Sequence, residues 1–203
     1  MRAVIITGGS MTDYSYLRQF IRSDDYIIAA DSGYLHAKCL MVTPDVLLGD
    51  FDSLAELPEG IPIYRFPAKK NLTDTELAVN FAREQGYRDF LLLGATGSRM
   101  DHTLSNILLL SALRPGETGA VVDEHNQIWF TDSELSLSAE PGTLFSLIPL
   151  ATCEGVTTTN LAYPLHNATL LVGQGVGVSN VVLKSPANVT LSAGALLVML
   201  CKD

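Results

Sequence analysis

Three short stretches of this chain carry the residue types that could do chemistry. They are Leu48-Gly49-Asp50-Phe51-Asp52-Ser53, Lys70-Asn71-Leu72-Thr73-Asp74-Thr75-Glu76 and Gly94-Ala95-Thr96-Gly97-Ser98-Arg99-Met100-Asp101-His102. Each follows or adjoins an apolar run that reads as a strand. If those strands lie parallel in one sheet, all three stretches meet at its carboxyl edge, where open α/β sheets bind ligands. The groups brought together are then Asp50, Asp52, Asp74 and Asp101, with one Arg and several glycines. Clustered carboxylates repel one another unless a cation lies among them, and hard oxygen ligands suit Mg²⁺. A magnesium site beside glycine-rich turns points to nucleotide phosphates.

Every one of these residues also has a plainer explanation. Asp50 and Asp52 could form a simple acidic turn, although in an extended chain their Cα atoms lie roughly 6–7 Å apart on the same side, within reach of one or two metals. Thr73 and Glu76 are fully accounted for as a capping box, so alone they signal nothing beyond a helix start. Asp74 gains from the helix dipole, and Asp101 could be no more than the N-cap of the next helix. Arg99, in a glycine-rich turn before a helix N-terminus, stands where a phosphate would bind, or is a solvated surface cation. Gly8-Gly9-Ser10 and Asp31-Ser32-Gly33 are compatible with nucleotide contact, but neither completes a GxGxxG or P-loop pattern. His36, His125 and His166 show no partner in sequence, and His102 reads as structural. Trp129 and the tyrosines read as packing residues.

The elements that must position these groups follow from the apolar pattern. Strands are expected at Ala3–Thr7, Tyr26–Ala30, Val46–Leu48, Pro62–Phe66 and Asp89–Leu93, and helices at Tyr14–Arg22, Gly33–Leu40, Thr73–Gln85 and Asp101–Leu113. This alternation predicts a parallel sheet flanked by helices, an α/β catalytic domain over residues 1–130. Beyond Trp129, short β-rich runs at Leu144–Leu150, Ala168–Val172, Gly177–Leu183 and Ala195–Leu200 are broken by Gly and Pro. They predict an all-β sandwich over residues 131–203.

Charge supports the division. Residues 1–133 hold 18 of the 22 acidic and 11 of the 13 basic side chains, which leaves the tail poor in charge. Such a tail is expected to bury a face and to make an oligomer contact. The net charge of −9 argues against a nucleic-acid partner and favours a cationic small substrate. Cys39, Cys153 and Cys201 make neither a CxxC pattern nor a disulfide framework, so buried thiols in a reducing cytoplasm are expected. The first residues read as a strand, not as a signal peptide, and no apolar run has the length of a membrane span.

Together, Gly49-Asp50-Phe51-Asp52-Ser53, Thr73-Asp74-x-Glu76, Gly94-x-Thr96-Gly97-x-Arg99-x-Asp101-His102-x-Leu104-x-Asn106 and the late Val178-Ser179-Asn180 resemble the thiamine pyrophosphokinase family. The order and spacing match across nearly the whole chain. The resemblance implies an α/β catalytic domain, a β-sandwich that helps bind thiamine, and a homodimer with active sites shared between subunits. It implies a diphosphotransferase that takes ATP and thiamine to thiamine diphosphate and AMP. It assigns Mg²⁺ and the triphosphate to Asp50, Asp52 and Asp74, and places Asp101 against the thiamine hydroxyl or the metal. Arg99 would steady phosphate oxygens and Ser179 would touch the pyrimidine. Asp31, Lys70, Thr73 and Asn180 join them as substrate-binding candidates. One departure stands out: bacterial relatives usually read Lys-Asp-x-Thr-Asp, and here Asn71 replaces the first Asp, removing one negative charge.

Three other readings compete. A haloacid-dehalogenase-type phosphatase would carry its nucleophilic Asp after the first strand, where this chain has Thr7-Gly8-Gly9. A pterin pyrophosphokinase on the same scaffold would differ in its acceptor. A non-catalytic nucleotide or thiamine sensor would have little use for four carboxylates beside phosphates.

Overall fold

A computed structural model describes residues 1–51, 58–66 and 71–202. The chain divides into two compact units, Met1–Glu124 and His125–Asp203. The first unit alternates strands and helices: β1 (Arg2–Ile6), α1 (Tyr14–Arg18), β2 (Tyr26–Ala30), α2 (Gly33–Cys39), β3 (Val46–Gly49), β4 (Ile63–Arg65), α3 (Asp74–Glu84), β5 (Asp89–Leu93), α4 (Met100–Leu108) and β6 (Thr118–Val122). Its strands are parallel and run in the order β6-β5-β1-β2-β3-β4. Strands covered on both faces read as continuous apolar runs, and Val4-Ile5-Ile6, Val46-Leu47-Leu48 and Phe90–Leu93 are all buried. From β1 the chain builds outward through β2, β3 and β4, then returns to place β5 on the other side of β1. That reversal opens a crevice at the carboxyl ends of β1, β2 and β5.

Two helices are shorter than their apolar patterns suggest. The N-cap of α1 is Asp13, whose carboxylate accepts from the Tyr16 N–H. After Arg18 the backbone tightens to i→i+3 bonds at Gln19, Phe20 and Ile21, so Ile21 is buried from a turn rather than from the helix. Likewise α4 gives way at Leu109–Ala112 to a 3-10 turn ahead of Arg114-Pro115. In contrast, α3 begins as expected. The Thr73 hydroxyl accepts from the Glu76 N–H at 3.2 Å and the Glu76 carboxylate accepts from the Thr73 N–H at 2.7 Å.

The second unit is all β: β7 (Asn126–Thr131), β8 (Glu134–Leu137), β9 (Leu144–Pro149), β10 (Cys153–Thr159), β11 (Ala168–Leu170), β12 (Asn180–Val181), β13 (Ala187–Thr190) and β14 (Leu196–Cys201). Antiparallel pairing forms two sets, β12-β9-β14-β7 and β11-β10-β13-β8. The division falls ahead of residue 130 because β7, which carries Trp129, pairs along its whole length with β14. Phe145, Leu147, Val156, Val182, Val189 and Val198 fill the interior. The fold class is therefore the expected one, an α/β parallel-sheet unit followed by an antiparallel β unit. The cysteines differ from expectation: none is in a disulfide, but only Cys153 is buried, while Cys201 is half-buried and Cys39 exposed on the last turn of α2. Among the described residues no helix is long and apolar enough to cross a membrane.

A buried ion pair ties α3 to the approach of β6. The Arg83 guanidinium meets Glu117 at 2.8 Å, with side chains only 10% and 1% exposed. Burial alone would raise the Glu117 carboxyl, but hydrogen bonds from Arg83 and the Arg114 N–H, together with their charges, hold it below its ordinary value. A lowered folded pKa gives stability that is complete above the unfolded value and lost as pH falls through the folded one. Glu117→Gln is expected to cost roughly 3 kcal/mol at neutral pH, because it leaves the guanidinium buried without its counter-charge. Urea unfolding at several pH values checks this. The gap from wild type should be constant at neutral pH and shrink below about pH 4, where the wild-type carboxylate also protonates.

Candidate active site

The crevice at the strand reversal holds a cavity of about 420 Å³ lined entirely by the first unit. Four segments build it: Thr7–Ser10 after β1, Ala30–Ser32 after β2, Thr73–Thr75 at the start of α3, and Gly94–Arg99 after β5, with His102, Thr103 and Asn106 from α4. The two glycine turns are locked together. The Gly9 N–H donates to the Gly94 carbonyl at 2.8 Å, and the Ser10 N–H to the Thr96 carbonyl at 2.7 Å. A Cβ on Gly9 would run into both of those carbonyl oxygens, so only glycine permits the approach. Gly94 adopts φ +66°, the left-handed conformation that glycine tolerates. From α4, the Asn106 amide donates to the Ala95 carbonyl at 2.8 Å and the Thr103 hydroxyl accepts from the Gly97 N–H at 3.0 Å. The second turn is thus held from below by the helix that follows it. Asn106 is only 6% exposed and acts through the backbone of that turn.

The expected residues separate into distinct places. Asp31, Thr73, Asp74 and Arg99 line the cavity. Asp31 sits at φ +53°, and its carboxylate accepts from the Phe51 N–H at 3.1 Å, which ties the end of β2 to the acidic loop after β3. Phe51 is buried beside Ala29 and Leu47 and anchors the start of that loop. Asp50 and Asp101 are not part of the cavity wall, and neither is Asn71, which is exposed. Asp52 and Lys70 lie outside the described residues.

Asp101 is not the N-cap of α4. That position belongs to Arg99, and Asp101 lies in the first turn, where it grips the Arg99 guanidinium at 2.6 Å. Hydrogen bonding from Arg99, then from the His102 N–H, lowers the Asp101 carboxyl to about 2. The pair is exposed, at 69% for Arg99 and 66% for Asp101.

In the second unit, Ser179 adopts φ +57° and its N–H donates to the Ser146 hydroxyl at 3.0 Å. Asn180 is buried, and its side-chain amide is engaged by the backbone. It accepts from the Tyr163 and Val181 N–H groups and donates to the Tyr163 carbonyl at 2.7 Å. It therefore fixes the backbone next to Ser179. Tyr163 itself is 72% exposed and does not pack in the interior.

The structure gives His36 partners that the sequence does not show, and brings in Asp123, which the motifs do not mark. His36 is not without partners: its ring nitrogens meet the Tyr14 hydroxyl at 2.9 Å and the Gly9 carbonyl at 2.8 Å. Asp123, at the end of β6, accepts from the Thr96 hydroxyl at 3.0 Å and so backs the cavity wall. No local signal marks either one, because these contacts span 22 or 27 residues.

The donor set of the wall is oxygen-rich, with two carboxylates and eight Ser and Thr hydroxyls among the lining residues. Among the described residues no group of three or more His, Cys, Asp or Glu side chains could hold a metal alone. The oxygen-rich set with its two carboxylates suits a hard cation such as Mg²⁺, which is commonly bound through one or two carboxylates plus substrate phosphates.

Comparison with known proteins joins these observations. Residues 17–121 match the family described as thiamin pyrophosphokinase, catalytic domain, and residues 132–196 match thiamin pyrophosphokinase, vitamin B1 binding domain. The chain is similar to the thiamine pyrophosphokinase of Bacillus subtilis, at 26% identity over 209 residues, covering 98% of each chain. A crystal structure of thiamine pyrophosphokinase from Bacillus subtilis superimposes with a TM-score of 0.89 at 25% identity over 100% of both chains. One from Geobacillus thermodenitrificans gives 0.86 at 26% identity, over 100% of this chain and 98% of the other. Apart from Thr7–Ser10, the cavity wall lies within the first matched region and Ser179 lies within the second, and the chain belongs to the thiamin pyrophosphokinase family.

Proposed function

We propose that this chain transfers a diphosphate group from ATP to the hydroxyl of thiamine, giving thiamine diphosphate and AMP. The observation that carries this reading is the joint match to a catalytic and a vitamin B1 binding domain along one chain. The comparisons favour neither a pterin acceptor nor a non-catalytic sensor. The phosphatase reading has no support at β1, which is followed by Thr7-Gly8-Gly9 and no carboxylate.

The thiamine oxygen bonds to the β-phosphorus, the bond from that phosphorus to the α,β-bridging oxygen breaks, and AMP departs with that oxygen. The hydroxyl proton passes to a base. Positioning and charge neutralisation supply most of the rate in such transfers. Mg²⁺ would be held by Asp74 with Asp50 and Asp52 of the acidic loop, and would neutralise the triphosphate when bound. The first turn of α3 offers a helix N-terminus to the phosphates at Thr73–Thr75. Arg99 lines the cavity with its guanidinium on Asp101, and an exposed pair of this kind is easily exchanged. Phosphate oxygens can replace Asp101 on Arg99. A carboxylate released in this way loses the partner that depresses its pKa and becomes a better proton acceptor for the thiamine hydroxyl. The acid-rich chain also suits a thiazolium cation.

Exposed apolar Val176 and Val178, next to Ser179, support a homodimer in which the second unit of one chain completes the site of the other.

AMP release from ATP that depends on both thiamine and Mg²⁺ tests the activity, and free phosphate as the product would oppose it. Asp74→Asn should lower kcat on the order of 100-fold, comparable to removal of one electrostatic stabiliser. The cost to helix stability should be small, roughly 0.3–1 kcal/mol. Steady-state rates across a Mg²⁺ titration, with thermal unfolding as the control, check this. Near-normal turnover at saturating Mg²⁺ would remove Asp74 from the site.

The shared site can be tested by complementation. Asp74→Asn and Ser179→Trp are each expected to keep only a trace of activity as homodimers. In a mixed dimer one site carries both lesions and the other carries neither. Random pairing makes about half the dimers mixed, so roughly a quarter of wild-type activity should return. A mixture that stays inactive, with mixed dimers verified by native mass spectrometry, would exclude the shared arrangement.

A further inference from the structure

The Gly9–Ser10 peptide is held at both ends. Its N–H donates to the Thr96 carbonyl at 2.7 Å, and its carbonyl oxygen meets the His36 Nε2 at 2.8 Å. A carbonyl only accepts, so Nε2 must carry a proton. On the other side of the ring, Nδ1 lies 2.9 Å from the Tyr14 hydroxyl. Burial raises the Tyr14 phenol above its ordinary value, with the neighbouring Cys39 adding to the shift, so its O–H stays protonated and available to donate. The rings of Tyr14 and His36 are also in contact, with centroids 5.8 Å apart. His36 does not line the cavity, but Gly9 and Ser10 do.

We infer that His36, fixed as its neutral Nε2–H tautomer by Tyr14, is a positioning residue that locks the Gly9–Ser10 peptide of the nucleotide-binding wall. Gly9 has no side chain to restrain its own dihedrals, and glycine visits both signs of φ readily. Hydrogen bonds at its two neighbouring peptides supply that restraint. Without His36, the peptide keeps only its N–H bond to the Thr96 carbonyl, and its carbonyl oxygen can tilt toward the cavity where the proposed nucleotide's phosphates would lie. Like partial charges would then meet, and nucleotide affinity would fall while the thiamine side of the site stayed as it was. The inference depends on the proposed function only for the identity of the nucleotide.

The test separates the two ring nitrogens. A Gln side-chain nitrogen reaches about as far as Nε2, whereas an Asn nitrogen reaches only as far as Nδ1. His36→Asn is therefore expected to raise the KM for ATP about tenfold, the effect of one hydrogen bond, with kcat and the KM for thiamine within about twofold of wild type. His36→Gln should restore the KM for ATP to within about threefold. Tyr14→Phe keeps the imidazole in place but frees its tautomer, and should raise the KM for ATP about threefold. In the wild-type protein, ¹⁵N NMR should report a proton on Nε2 and none on Nδ1 at pH 8. Asn and Gln variants that behave alike, a fall in kcat at unchanged KM, or an Nδ1–H ring would each overturn the inference. Should His36→Asn fail to fold, Tyr14→Phe and the ring spectrum decide the matter. Should wild type form no AMP from ATP and thiamine, the proposed function falls, while the ring spectrum and calorimetric nucleotide binding by the same variants still judge His36.

Discussion

The close approach of two backbone turns is the constraint on which the site depends. The parallel ladder between β1 and β5 does not stop at the strand ends. It continues through Gly9 to the Gly94 carbonyl and Ser10 to the Thr96 carbonyl, and the Thr7 hydroxyl adds a bond to Gly94. This continuation requires bare Cα atoms, because any Cβ at Gly9 would collide with two carbonyl oxygens. The result is a rigid wall at the one place where the strand order reverses. A site built on extended sheet geometry is held more tightly than one carried by free loops. The remaining wall segments are then fastened to it, by Asn106 and Thr103 from α4, Asp123 from β6 and His36 from α2.

The proposed triphosphate donor would meet an electrostatic conflict in so acid-rich a chain. With 22 acidic against 13 basic side chains, its general field repels phosphate. The wall answers with local features: backbone amides, the N-terminus of α3 and the single guanidinium of Arg99. Arg99 and Asp101 hold each other at the rim, so the cation is kept near the cavity and its partner is kept ionised. A metal accompanying the proposed nucleotide would remove the rest of the conflict, and the same acidic field would then favour a cationic acceptor.

The two units follow different stabilising strategies. The first buries its inner strands on both faces and pins its periphery with desolvated ion pairs, Arg83 with Glu117 and Arg2 with Asp25. In the second, an aliphatic interior lies between short antiparallel strands, and buried polar groups such as Asn180 and Thr158 hold irregular backbone. Its exposed apolar side chains gather around residues 171–178. A surface of that kind is costly in water unless something covers it.

The sequence by itself determined the elements and the chemistry of the wall. Apolar runs with no alternation marked β1, β2, β3 and β5 as strands buried on both faces, and Thr73 with Glu76 marked the start of α3, because both signals are local. Asp31, Thr73, Asp74 and Arg99 could be placed at the carboxyl edge for the same reason: each directly follows or precedes such an element. Only the tertiary structure decided what depends on strand order and on groups far apart in the chain. It turned Asp101 toward Arg99 and away from a helix cap, exposed Cys39, and left Asp50 off the cavity wall. It gave His36 and Asp123 partners that lie 27 residues away, and committed the amide of Asn180 to Tyr163. A hydrogen bond between distant segments leaves no periodicity behind, since its two ends are brought together by the packing of the strands between them.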